Sequence, residues 1–152
     1  MLMYGIPSFK LNKKLIEAEV DILKKMGIEF KYGVEVGKDI SLTDLRNQGY
    51  KGFFLGIGCQ QGRKPNIDGQ DAQGTYTAVD FLRAAQTEDK IEITGDVVVI
   101  GGGNVAIDAA RTARRYTKGR ISLFSLESKD EMPAKEEEIK EAIDDNIEIN
   151  NS

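Results

Sequence analysis

Two hydrophobic periods alternate along the chain. Leu15, Ile16, Val20, Leu23 and Met26 recur at three and four residues. That is the stripe of an amphipathic helix, and it predicts one over residues 12–26, with Gly27 placed to stop it. Ile28, Phe30, Tyr32, Val34 and Val36 then alternate with polar residues and Gly33, which predicts a strand. Residues 53–58 (FFLGIG) form a continuous apolar run, as in a strand buried on both faces. Ser41 with Asp44, and Thr77 with Asp80, have the spacing of capping pairs, the second opening a short helix over 78–85. The glycine-containing stretch 60–74 reads as loop, and the polar stretch 86–95 as a connector between domains.

Beyond the connector the alternation is regular. Residues 97–100 (VVVI) predict a buried strand and 104–116 a helix striped by Val105, Ala109, Ala113 and Tyr116. Residues 121–125 predict a second strand and 134–145 a second helix, and a third strand opens at Ile147. Strands separated by helices predict an α/β fold of Rossmann type with a parallel sheet. There is also an internal echo: EAEVDILKKMGIEF (17–30) and EEEIKEAIDDNIEI (136–149) align without a gap, each a helix, a Gly or Asn stop and an Ile-Glu-apolar strand. Two helix-to-strand corners can match by chance; the other reading is two related α/β units. On that second reading the chain is expected to be an internal fragment of a longer protein.

Composition narrows the chemistry. The 152 residues include one cysteine and no histidine. Cys59 has no disulfide or CxxC partner and reads as a small buried side chain. Histidine-based triads, general bases and zinc sites are excluded, so redox chemistry must be carried by a cofactor. A net charge of −4 without an extended basic cluster argues against nucleic acid. No apolar run is long enough for a membrane span, and with no recognisable signal peptide the expected location is cytoplasmic. Arg111, Arg114 and Arg115 read as a structural or solvated helix face rather than a phosphate clamp, Asp108 as a local pairing or polar-face residue rather than a ligand, and 135–140 as a solvated face.

The chemistry-bearing motif is Gly101-Gly102-Gly103-Asn104-Val105-Ala106, a G-x-G-x-x-A between a predicted strand and a predicted helix. Gly101 permits the tight turn, Gly103 lets a pyrophosphate approach the backbone, and Ala106 lets the helix sit close to the strand. The helix N-terminus supplies N–H groups and partial positive charge for phosphates. Residues 97–127 are therefore read as a nicotinamide-dinucleotide site containing Gly101, Gly102, Gly103, Asn104, Val105 and Glu127. The alternative is a purely structural glycine turn.

Several segments together resemble the small (beta) subunit of glutamate synthase and its relatives: 4–11 (YGIPSFKL), 33–40 (GVEVGKDI), 54–58 (FLGIG), 101–114 and 131–134 (EMPA). The resemblance implies a flavoprotein with two related dinucleotide-binding domains. Residues 1–85 would be part of the FAD-binding domain, 86–95 the connector, and 96–152 the first half of the NAD(P)-binding domain. It implies hydride transfer from the nicotinamide to FAD, with electrons passed to a partner subunit or iron–sulfur protein. Three parts of the family pattern are missing here: the glycine loop of the FAD domain, the rest of the nicotinamide domain, and the cysteines for iron–sulfur clusters. The chain alone is therefore expected to hold no FAD, to be inactive, and to self-associate through unpaired sheet edges. Gly56 and Gly58 match a strand end that passes close to FAD, or else belong to a core strand. Val36 matches one that faces the FAD adenine, with core packing the favoured reading. Rival readings of the whole are a non-catalytic dinucleotide-binding or regulatory domain, and a scaffold segment.

Glu127 carries the cofactor choice. An acid at the end of the second strand bonds the adenine-ribose hydroxyls and repels a 2′-phosphate. NADPH-using relatives commonly carry paired arginines just before their E-M-P-A-like segment, where this chain has Leu126 and Glu127. NAD(H) is therefore expected over NADP(H). Glu127 lies 26 residues after Gly101, beyond the roughly 20 usual for such an acid; a longer helix exit at 116–119 accounts for the excess.

Overall fold

The computed structural model describes residues 1–87 and 91–152. The expected connector 86–95 therefore falls partly outside the described residues. The chain divides into two compact units, Met1–Lys13 with Gln60–Ser152, and Lys14–Cys59.

The first unit is built on a parallel three-stranded sheet, β1 (Val97–Ile100), β2 (Ile121–Ser125) and β3 (Ile147–Asn151), in the order β1-β2-β3. Val97 pairs with Ile121 and Ile121 with Ile147, and two residues on Val99 pairs with Leu123 and Leu123 with Ile149. With a side-chain period of two, this register puts Val97, Val99, Ile121, Leu123, Ile147 and Ile149 on one face. They pack into one core with Phe81, Ile107, Ala109, Ala110, Ala113, Met132, Ala134 and Ala142. We number the helices α1 (Lys13–Lys25), α2 (Leu42–Asn47), α3 (Ala78–Gln86), α4 (Asn104–Ala113) and α5 (Glu136–Asp144). Helix α4 lies on β1 and β2, α5 on β3, and α3 on α4. The alanines on the inner side of α4 let its backbone come close to the sheet, where a larger side chain would hold it off.

Three expectations for this unit change. The opening strand is not buried on both faces: Val98 and Ile100 are 64% and 59% exposed, because the helices in contact with the sheet lie against its other face. Helix α4 ends at Ala113 rather than Tyr116, since Arg115 and Tyr116 donate back three residues, to Thr112 and Ala113, and tighten the chain into a turn. Its buried side is formed by Ile107, Ala109, Ala110 and Ala113; Val105, in the first turn, is half exposed.

In the second unit, α1 and α2 form as expected, α2 with a full capping box between Ser41 and Asp44. The predicted strands over 28–36 and 53–58 do not form; an isolated bridge joins Val36 to Ile40. Phe54 is 95% exposed, Val36 is exposed rather than core, and α1 buries none of its residues. An apolar run becomes a strand only against ladder partners and a covering layer, and among the described residues these runs gain no ladder beyond that single bridge. Cys59, expected to be buried, is exposed for the same reason: it follows a run that joins no sheet. The echo holds for helix and stop, with Gly27 (φ 92°) and Asn146 (φ 57°) both left-handed, and fails at the first strand.

Candidate functional site

The glycine loop sits where β1 hands over to α4. Gly101 has φ 133°, a conformation that side-chain-bearing residues rarely adopt, and its turn brings Ala106 beneath it. Gly103 is the N-cap residue and no side chain caps the helix; its carbonyl takes the Ala106 N–H, so the N–H groups of Asn104 and Val105 are left to a ligand or solvent. A Cβ placed on Gly103 would meet nothing within 4 Å, so the space beside it is open. An open, uncapped N-terminus following a left-handed glycine suits a pyrophosphate.

Gly102 faces the other way. A Cβ there would lie 2.3 Å from the Ser125 hydroxyl and 2.9 Å from a Glu127 carboxylate oxygen. The end of β2 thus comes back against the glycine loop, and Glu127 stands beside it despite the long spacing. The Ser125 hydroxyl donates to the Glu127 carboxylate at 2.5 Å, and the Glu127 N–H donates to the same hydroxyl at 3.2 Å. The hydroxyl, and then the residue's own backbone, hold the Glu127 carboxyl below the ordinary glutamate range, so it is charged at neutral pH. The excess spacing lies in the helix exit, where Thr117 donates to the Gly95 carbonyl and the Arg120 N–H to Asp96 before β2 begins.

A third segment braces the loop. The Ala134 N–H donates to the Gly102 carbonyl at 3.1 Å and the Lys135 N–H to Asn104 Oδ1 at 3.0 Å. Met132 and Ala134 are buried in the core. The Asn104 side chain is thus tied to this segment, a contact that sequence reasoning did not foresee. The motif at 131–134 was the signal available for it.

The structure brings Gly101, Gly102, Gly103, Asn104, Val105 and Glu127 together around the β1–α4 corner. Gly56 and Gly58 belong to the second unit, in an exposed run that is not a strand. Their reading as core-strand residues therefore fails.

Charged residues elsewhere on α4 are committed to structure. Arg111 is buried, donates to Asp145 at 2.7 Å and to Glu141, and lies over the Phe9 ring, as Arg115 also does. Lys10 bridges Asp108 and Glu138, so one end of the 135–140 helix face is paired rather than solvated. Burial raises the Asp108 carboxyl above its ordinary value, with Lys10 opposing. Among the described residues, no group of His, Cys, Asp and Glu side chains could hold a metal ion, and no helix is long and apolar enough to cross a membrane.

The chain is 35% identical to the glutamate synthase [NADPH] small chain of Escherichia coli over 98% of its own length and 34% of that protein. It is 35% identical to the NADPH-Fe(3+) oxidoreductase subunit beta of Geobacter sulfurreducens over 88% of its length and 20% of that protein. It is 32% identical to the NADP(+)-dependent formate dehydrogenase subunit beta of Moorella thermoacetica over 93% of its length and 20% of that protein. It thus spans about a third or less of these relatives. The family model for pyridine nucleotide-disulphide oxidoreductases matches residues 14–151, and the chain belongs to that family.

Proposed function

We propose that residues 97–127 bind the pyrophosphate and adenine ribose of NAD(H), as the nicotinamide-binding part of a flavin-dependent oxidoreductase. The family implies a pyridine nucleotide and FAD. The observation that carries the reading is the return of β2 against the glycine loop, which sets a charged Glu127 beside Gly102. In its roles, the uncapped turn at Gly103 takes the pyrophosphate, and Glu127 accepts from the ribose hydroxyls. The bound nicotinamide supplies a hydride to FAD in the whole protein, from which electrons pass to a partner subunit or iron–sulfur protein. Gly56 and Gly58 are proposed FAD neighbours there. A cytoplasmic location and self-association of the chain belong to the same reading.

Several relatives are named for NADPH or NADP(+). Against a carboxylate at Glu127 a 2′-phosphate meets like charge, which favours NAD(H) in this chain. Calorimetric titration of NADH and NADPH into the full-length protein, with Glu127→Arg alongside, tests this. NADH should bind more tightly, and the variant should move the preference toward NADPH. Equal or tighter binding of NADPH by the unmodified protein overturns the preference.

A further inference from the structure

We propose that Ser125 is a positioning residue for cofactor selection: its hydroxyl fixes the Glu127 carboxylate against Gly102, at the edge of the glycine loop. This rests on the reading of Glu127 given above. Ser125 is the last residue of β2 and is buried, whereas Glu127 lies two residues beyond the strand and is only partly covered. A carboxylate in a loop can rotate among many arrangements, most of which leave the ribose position empty. The strand anchors Ser125, and its hydroxyl donates to Glu127 at 2.5 Å while accepting from the Glu127 N–H at 3.2 Å. Both the side chain and the backbone of Glu127 are thereby referred to the sheet. The room for this arrangement comes from Gly102, because a Cβ at that position would overlap the serine hydroxyl and crowd the carboxylate oxygen. Three residues on two strand ends therefore act as one unit: a glycine that leaves space, a hydroxyl that fixes geometry, and a carboxylate that reads the ribose. The same hydroxyl also favours the charged form of Glu127, the form that repels a phosphate.

The test uses the full-length protein, its Ser125→Ala and Glu127→Gln variants, and the double variant, each titrated calorimetrically with NADH and NADPH. Ser125→Ala should reduce the NADH-over-NADPH ratio about two- to tenfold, the range of one hydrogen bond. In the Glu127→Gln background the same change should have no further effect on the ratio. The Glu127 carboxyl, followed by carbon-13 NMR, should titrate at higher pH in Ser125→Ala than in the unmodified protein, a readout that a packing defect alone would not move. If Glu127→Gln lowers the ratio while Ser125→Ala leaves both it and the titration unchanged, the role of Ser125 is overturned and that of Glu127 stands. If Glu127→Gln leaves the ratio unchanged, both are overturned.

Discussion

Gly102 and Ser125 share a space that holds one side chain: a methyl group on Gly102 would sit 2.3 Å from the serine hydroxyl and 3.1 Å from its Cβ. The Cβ belongs to a paired strand and cannot withdraw, while rotating the hydroxyl away would break its bond to Glu127. Gly102→Ala is therefore expected to destabilise the fold by about 1–3 kcal/mol, the usual cost of overpacking. Adding Ser125→Ala should recover part of that loss, since the nearest clashing atom is gone. Urea denaturation of the four proteins in the cycle measures it; strictly additive costs would show that the two residues do not compete.

The brace from α5 to the loop makes a separate prediction. Asn104→Ala leaves the Lys135 N–H without its side-chain acceptor, and Asn104→Asp keeps one. Alanine should cost about 0.5–1.5 kcal/mol and aspartate less. Amide hydrogen exchange at Lys135 should quicken in Asn104→Ala alone. Unchanged exchange there would remove the brace from the account.

Much of this architecture is legible in the sequence, for reasons that differ along the chain. The strands at Val97 and Ile121 were predicted with the bounds they have, because their apolar runs are short and each meets a partner of matching register. The runs at 28–36 and 53–58 read just as well but form no strand, since period alone does not say whether a partner is at hand. The glycine loop was readable because the conformation of Gly101 is local. The contacts of Ser125 with Gly102, of Asn104 with Lys135 and of Phe9 with Arg111 join residues far apart in sequence, and no spacing rule reports them.

Asp108 gives a pH prediction. Burial, opposed by Lys10, raises its carboxyl above the ordinary aspartate value in the folded chain. The folded state then holds this proton more tightly than the unfolded state. Stability contributed by the protonated form is present below the unfolded value and lost as pH rises through the higher folded one. The difference in unfolding free energy between the unmodified protein and Asp108→Asn should therefore fall as pH rises from about 4, the ordinary aspartate value. Urea denaturation across that window measures it, and a difference that rises with pH would contradict the assignment.

Arg111 allows its two acidic partners to be ranked. Its side chain is 10% exposed; that of Asp145 is 28% exposed and that of Glu141 is 54%. When the guanidinium is removed, Glu141 can return to water, whereas Asp145 stays partly covered and loses the bond at 2.7 Å. A charge-assisted hydrogen bond contributes about 1.5–3 kcal/mol, and the cation over Phe9 adds about 0.5–2 kcal/mol, the more the better it is shielded from solvent. Arg111→Met retains much of the apolar stem, so it isolates the polar terms and should destabilise by about 2–5 kcal/mol. Arg111→Lys keeps the charge but not the planar fork, and should fall between. The ranking is tested with two double-mutant cycles by urea denaturation, Arg111→Met combined with Asp145→Asn and with Glu141→Gln. The coupling should be larger for Asp145, because an exposed pair contributes little once solvent screens it. A larger coupling to Glu141 would mean that solvent exposure does not decide which carboxylate holds this arginine.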